Sequence, residues 1–410
     1  MRIAIWHNLP SGGAKRLLYD QVRGLLQRGH QIEAWCPSTA DQSYLPLGEL
    51  VPEHVLPFPQ PRATRLKRLT GPYHATVDRL RAMELHCQQA ARQINRGGFD
   101  LLFGQPCMFF RTTAVSLLVR LPRLIYLHEP YRWLYEALPE LPWLAPPSWG
   151  PGWWRPAALR ASARDLLRLA ALRVQAREEL RSARAWDIIL ANSLYSRESI
   201  LRAYGCDARV CYPGIDTDRF VYRRQPREDF VIGLGAFARE KNPELAIRAL
   251  AELPAPRPRL VWVGNVGNPE YLALLQRLAA DRGVAFEPLL RVGDDQLVDL
   301  LNRALLMLYA PRLEPFGLAP LEAGACGTPV VAVAEGGVRE TVQDGRNGLL
   351  VESAPGAVAE AVARLRDNPA RARALGEQAH ALAQEHWSLP ASIDRLERRF
   401  AEVRSMKYEV

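Results

Sequence analysis

The residues best placed to do chemistry lie in the stretch LYAPRLEPFGLAPLEAGACGTPVVAV, from Leu308 to Val333. An apolar run from Ala304 to Ala310 ends at Pro311, and a loop carrying Glu314 follows. A helix expected to start near Gly317 then carries Glu322 and stops at Gly327, ahead of a second apolar strand. At such a helix start the backbone N–H groups of Phe316, Gly317 and Leu318 converge on one small volume, with the positive end of the helix dipole behind them. That volume suits an anion. Glu314 and Glu322 bracket it with acceptors suited to hydroxyl groups on either side of a phosphate, the layout of a nucleotide sugar. On spacing alone, glutamates that merely complement a helix dipole are the simpler explanation.

Other residues raise or lower that reading. Basic residues are almost all arginine, with lysine only at Lys15, Lys67, Lys241 and Lys407. Lys15 and Lys241 both fall in glycine-containing turns, and Lys241, after Gly235, can set an ammonium on a phosphate oxygen. Gly12 and Gly13 stand where a first strand hands over to a helix, the place where an open α/β sheet lets backbone approach a ligand. The loop is not GxGxxG and no acid closes the second strand, so a dinucleotide cofactor is disfavoured, while a simple tight turn also accounts for the glycines. His128 and Glu129 end another apolar run, although a lone histidine more often makes a structural hydrogen bond. Asp216-Thr217-Asp218 matches a short metal-holding DxD pattern, for which a turn is the simpler account.

Composition sets the bounds. At 410 residues, with 48% hydrophobic and 24% charged, the chain reads as a globular protein of two domains. A net charge of +9 favours acidic partners, which include nucleotide phosphates, an anionic membrane surface and nucleic acid. The six cysteines show no CxxC pair and mostly lie in apolar runs, so buried thiols are expected over disulfides or zinc ligands. MRIAIWHNLP lacks the long apolar region of a signal peptide, and no apolar run approaches the ~20 residues of a membrane span. The expected location is the cytoplasm.

These residues need a scaffold of alternating strands and helices. Strands are expected at 2–6, 99–105, 123–130 and 187–193, with helices after Gly13 and from about Tyr73 to Asn95. Residues 51–72, rich in proline and arginine, read as a surface excursion. From Tyr131 to Ala185 the alternation lapses: Trp133, Trp143, Trp149, Trp153 and Trp154 precede a helix bearing Arg160, Arg164, Arg168, Arg173 and Arg177. That segment suits either an anionic lipid surface or an acceptor sugar, and equally a loop that packs locally. Residues 211–229 read as a linker, after which strands at RLVWVG and VAFEP, helices near 269–282 and 294–302, and a strand at 348–351 build a second sheet. The domains are expected at 1–212, joined by 390–410, and at 213–389.

With these motifs in hand, the chain resembles the family 4 retaining glycosyltransferases of the GT-B fold. ANSLYS (191–196), YPGIDTDRF (212–220), the Gly235 to Lys241 turn, EPFGLAPLEAGACGTPVVA and EGGVRETVQDGRNGLLVE carry the resemblance. It implies an α/β fold of two Rossmann-like domains with parallel sheets facing an inter-domain cleft, and a C-terminal helix returning to the first domain. It implies that Glu314 binds donor-sugar hydroxyls and Glu322 the ribose, with Phe316, Gly317 and Leu318 on sugar and phosphate. Lys241 would neutralise the diphosphate, the Gly12-Gly13 loop would close over it, and His128 would meet the sugar near the reacting carbon. The family commonly has Arg after the turn glycine where this chain has Ala236, and Arg239 is the expected substitute.

A reaction follows from that resemblance. A hexose would leave a nucleoside diphosphate for a hydroxyl of a glycan or lipid-linked acceptor, with retention of configuration and without a metal or other cofactor. Two rivals remain, a non-catalytic nucleotide-sugar-binding protein and a nucleotide-sugar epimerase. No nucleic-acid module is recognisable among the arginines, and a peripheral place on the inner membrane face is the expectation for the 131–185 segment.

Overall fold

The computed structural model describes residues 1–59, 71–136 and 154–406. Trp143, Trp149, Trp153, Lys67 and Lys407 lie outside the described residues, as does most of the 51–72 excursion. The chain divides into two compact units. The first holds residues up to Asn192, Ser196–Val210 and the chain from Leu396 onward, and the second holds Ser193–Tyr195 and Cys211–Arg395.

In the first unit β1 (Arg2–Asn8), β2 (Gln31–Pro37), β3 (Glu53–Leu56), β4 (Leu101–Cys107), β5 (Arg123–Tyr126), β6 (Ile188–Ala191) and β7 (Arg209–Val210) form one sheet in the order β3-β2-β1-β4-β5-β6-β7. All its pairings are parallel. The inner strands β5 and β6 are largely apolar, as strands covered by helices on both faces are. Helices α1 (Gly13–Gln27), α2 (Gly71–Arg96), α3 (Pro156–Ala183) and α4 (Leu194–Tyr204) supply the crossovers. Ala4, Trp6, Trp35, Leu102 and Ile125 pack with Met83, Cys87 and Ile94 of α2 in a buried cluster.

The surface excursion expected at 51–72 is corrected at its start, where Glu53–Leu56 is the edge strand β3. Its four residues lie between Pro52 and Pro57, and Val55 is 48% exposed, so the run carries little hydrophobic signal. Strand β5 stops at Tyr126, earlier than expected, which leaves His128 and Glu129 in the loop beyond it.

The second unit repeats the plan with β8 (Glu228–Leu234), β9 (Arg259–Gly264), β10 (Phe286–Leu290), β11 (Ala304–Tyr309), β12 (Val330–Val333) and β13 (Gly348–Val351), in the order β10-β9-β8-β11-β12-β13. These pairings too are parallel. Its helices are α5 (Pro243–Glu252), α6 (Pro269–Arg282), α7 (Asp294–Arg303), α8 (Leu318–Ala325), α9 (Pro355–Arg366) and α10 (Pro369–His386), and α11 (Leu389–Ser405) ends the described chain. Pro156, Pro243, Pro269, Pro355 and Pro369 each open a helix, where a missing N–H is harmless and a fixed φ helps. The stretch read as a linker is built into this unit instead. Ile215 and Phe220 are buried in its core, and the Ile215 N–H donates to the Trp387 carbonyl at 2.8 Å.

From Leu396 onward α11 belongs to the first unit. Phe400 is fully buried there with its ring centroid 5.3 Å from that of Phe103, and His30 Nε2 lies 2.7 Å from a Glu397 carboxylate oxygen. Among the described residues no helix is long and apolar enough to cross a membrane.

Candidate functional site

The loop after β11 is held from behind by backbone. The Gly337 N–H donates to the Glu314 carbonyl at 2.8 Å, and the Ser193 hydroxyl donates to the Pro315 carbonyl at 2.5 Å. A methyl group at Gly336 or Gly337 would collide with the backbone of Glu314 or Pro315. Only glycines let the two chains approach this closely, so the EGG segment acts as a cradle for the loop that bears Glu314. Phe316 is buried between Tyr212 and Trp387, at centroid distances of 6.2 and 5.6 Å, which anchors the loop into the core.

Gly317 turns the chain into α8 with φ 97° and ψ 77°, and among the described residues no side chain caps the amides of that helix start. A side chain at Gly317 would also press on the Tyr309 hydroxyl, 3.2 Å from where its Cβ would stand. The dipole end at the half-buried Leu318 is therefore suited to an anion. Glu322 stands half-buried in the second turn of α8. The far end of the helix is fixed by Arg227, whose guanidinium donates to the Gly327 carbonyl (2.6 Å), the Leu301 carbonyl (2.8 Å) and the Thr328 hydroxyl (2.8 Å).

Lys241 closes the short helical turn Arg239–Lys241 after β8. Its stem runs across Gly235, where a Cβ would lie 3.1 Å from the Lys241 Cγ, so the glycine makes room for the lysine. Lys241 Nζ donates to both carboxylate oxygens of Glu314 at 2.7 Å. The two residues expected on diphosphate and sugar thus meet each other. Arg239 points elsewhere: its guanidinium carbon is 5.7 Å from the centroid of the Tyr271 ring on α6.

The remaining expected residues lie in the first unit. Gly12 caps α1 at φ 143°, a conformation that favours glycine, and nothing lies within 4 Å of a Cβ built there. Gly13 is the first residue of the helix. Lys15 differs from its expectation, because its side chain is fully buried beneath α1 and not presented by the loop. His128 follows β5 with its ring 5.0 Å from that of Tyr126, and among the described residues its Nε2 has no hydrogen-bond partner. Burial, with the Arg111 charge adding to it, holds the His128 pKa down to about 3, so the ring is neutral near pH 7. Beside it Glu129 takes a hydrogen bond from Arg111 at 2.8 Å and faces Arg132 at 3.6 Å.

Sequence reasoning did not single out Glu340. Its carboxylate accepts the N–H groups of Leu194 (2.8 Å) and Tyr195 (3.1 Å) and the Tyr212 hydroxyl (2.8 Å), tying three of the resemblance motifs together within the second unit. The Asp216 carboxylate accepts from the N–H groups of Asp218 and Arg219 at 3.1 and 3.2 Å, a local turn.

Comparison with known proteins agrees with this arrangement. The chain is 36% identical over 256 residues to the D-inositol 3-phosphate glycosyltransferase 2 of Catenulispora acidiphila, covering 55% of this chain and 59% of that protein. It is 34% identical over 226 residues to the GDP-mannose-dependent alpha-(1-6)-phosphatidylinositol monomannoside mannosyltransferase of Mycolicibacterium smegmatis, covering 50% and 58%. The matches thus span less than three-fifths of these relatives. Among solved structures, Anabaena Alr3699/HepE in complex with UDP and glucose gives a TM-score of 0.67 at 20% identity, over 98% of this chain and 99% of that one. The sucrose-phosphate synthase of Thermosynechococcus elongatus gives 0.72 at 18% identity, over 99% and 100%. These likenesses establish the two-domain α/β architecture of GT-B proteins. The family model for Glycosyl transferases group 1 matches residues 214–382, and that for Glycosyltransferase Family 4 matches residues 11–219, so the chain belongs to Glycosyltransferase Family 4.

Proposed function

We propose that the protein moves a hexose from a nucleoside-diphosphate sugar to a hydroxyl of a glycan or glycolipid acceptor, with retention, in the assembly of cell-envelope polysaccharide or glycoconjugate. One observation carries the reading: Lys241 and Glu314 pair on a backbone-cradled loop that leads into the uncapped N-terminus of α8. Breaking a glycosyl–phosphate bond puts negative charge on the leaving diphosphate. Lys241 and the α8 amides offer the matching positive charge, and the reaction is proposed to run without a metal or other cofactor. As the diphosphate draws Lys241 away, Glu314 is released to accept hydroxyl hydrogens of the sugar, with Glu322 on the ribose and Phe316, Gly317 and Leu318 supplying amides. Both glutamates are thereby committed to hydroxyls, which favours attack on the face the diphosphate leaves, with a phosphate oxygen taking the acceptor's proton. Gly12, Gly13 and neutral His128 serve as further donor contacts.

The acceptor is proposed to be lipid-linked, presented at the inner face of the cell membrane, with the protein cytoplasmic and peripheral. Arg160, Arg164, Arg168, Arg173 and Arg177 are exposed along α3, and Trp154 and Leu166 are each 66% exposed near the same element. Such a mixture suits an anionic headgroup layer, and no role with nucleic acid is proposed.

The test is a panel of UDP-, GDP- and ADP-sugars followed by proton NMR, with and without candidate glycolipids. Donor hydrolysis without acceptor and retained configuration in the product support the proposal. Thermal stabilisation by a donor that is never consumed would favour the non-catalytic reading, and interconversion of the donor alone would favour an epimerase.

A further inference from the structure

Three adjacent strands of the first sheet each send one metal-ligating side chain to the same place. In the register of β1 and β2, Trp6 faces Trp35, which puts His7 beside Cys36. In that of β2 and β3, Cys36 faces Val55, and Glu53 lies two residues earlier on the same face. Trp6 and Trp35 point to the opposite face, into the cluster with α2.

The three donor atoms lie within 4.8 Å of one another. His7 Nε2 is 2.8 Å and Cys36 Sγ 3.5 Å from the same Glu53 oxygen, Oε1. Bonds of about 2.0–2.3 Å to zinc place tetrahedral donors roughly 3.3–3.8 Å apart, so small side-chain adjustments suffice. All three side chains are buried or nearly so. Donors stand behind them: Gln42 Nε2 lies 3.5 Å from Cys36 Sγ and 3.4 Å from Glu53, and the Gly48 N–H donates to Glu53 Oε2 at 3.0 Å.

His7 Nδ1 and Lys15 Nζ are buried and have no hydrogen-bond partner among the described residues, in a protein interior where such groups are rare. We propose that His7, Cys36 and Glu53 form a binding site for a borderline divalent transition ion, zinc or cobalt, that fastens β1, β2 and β3 at this end of the sheet. Mixed nitrogen, sulfur and carboxylate donors select such ions over magnesium or calcium. Lys15, whose charge interacts with Glu53, Cys36 and Asp41, is the competing cation. Binding requires the Cys36 thiolate, so the thiol proton passes to solvent as the ion enters. The ligands come from positions separated by 29 and 17 residues, which is why no short cysteine motif announces them.

The test uses the full, tag-free chain stripped with chelator and titrated with Co²⁺ and then Zn²⁺. Expected are one bound cobalt per chain, the visible bands of a four-coordinate ion with a near-ultraviolet thiolate band, and their loss on zinc addition. Cys36→Ser should abolish the thiolate band, Cys107→Ser should keep it, and Glu53→Gln should weaken binding at least about tenfold. Circular dichroism and thermal unfolding of each variant separate loss of ligand from loss of fold. Absence of the bands in the wild-type chain, or their persistence in folded Cys36→Ser, overturns the proposal.

Discussion

Lys241 Nζ is equidistant, at 2.7 Å, from the two carboxylate oxygens of Glu314, and both side chains are still about one-fifth to one-quarter exposed. The pair fixes the position of the Lys241 ammonium beside the loop that leads into α8. Under the proposed function a diphosphate would take the lysine over and free the carboxylate for the sugar.

Lys241→Met is therefore expected to lower kcat/KM for donor-dependent transfer by roughly 10²- to 10³-fold, as for loss of one charge-stabilising donor. Lys241→Arg should not restore it, because a planar guanidinium cannot follow the Lys241 path across Gly235. In a double-mutant cycle with Glu314→Gln the losses should be far from additive, since each residue sets the other's position. Initial rates with the identified donor decide this.

Gly336→Ala should push the Glu314 loop off its cradle. The position has φ 69° and no space for a methyl, so a stability loss of about 1–3 kcal/mol is expected. Donor affinity should fall with it. Calorimetry of donor binding, alongside thermal unfolding, measures both; unchanged affinity would detach the cradle from the site.

Arg227→Met should destabilise the second unit by about 3 kcal/mol. It leaves several carbonyls near the end of α8 without the donor that now satisfies them. Chemical denaturation with probes in each unit is the check, and the loss should appear in the second unit's transition.

Stability should depend on pH through Glu179. Burial pushes its pKa up to about 7, although Gln175 and Tyr204 both hydrogen-bond the carboxylate. From its ordinary value of 4.5 upward the unfolded chain releases a proton that the folded protein keeps. The associated stability is fully present below about 4.5 and lost as pH rises through about 7. His86 has the opposite sign: burial lowers it from 6.5 to about 4, so its contribution is present above 6.5 and lost as pH falls toward 4. Thermal unfolding of Glu179→Gln should gain on the wild type as pH rises through that window, and a constant difference would refute the shift.

Arg160→Glu, Arg164→Glu and Arg168→Glu together should reduce co-sedimentation with phosphatidylserine vesicles by at least about a hundredfold, from roughly 1 kcal/mol per lost arginine near an anionic surface. Binding to neutral vesicles should not change. Equal binding to anionic vesicles by wild type and variant would remove the membrane from the proposal.

The alternation of buried strands and helices was legible because parallel strands covered on both faces read as unbroken apolar runs, as at β4, β9 and β13. Strand β3 was not, since a four-residue edge carries too little burial to stand out between two prolines. In the site, Glu314, Gly317 and Gly235 are legible through the family resemblance, since spacing alone left the glutamate as a residue that complements a helix dipole. The mutual pairing of Lys241 with Glu314 could not be read that way, because it joins turns 73 residues apart. Glu340 and Arg227 act through backbone groups, and a sequence pattern keeps no record of which backbone groups lack partners. Arg239 shows the limit of substitution by proximity: two residues from Lys241, it rests instead on Tyr271.

Phe400 and Glu397 complete a core whose other members are made hundreds of residues earlier. During synthesis the amino-terminal sheet must wait, unfinished, while the whole of the following domain emerges and closes. A nascent chain that has cleared the ribosome up to Arg395, but not from Leu396 onward, would thus hold one mature domain beside an immature one, and chaperones should engage the latter.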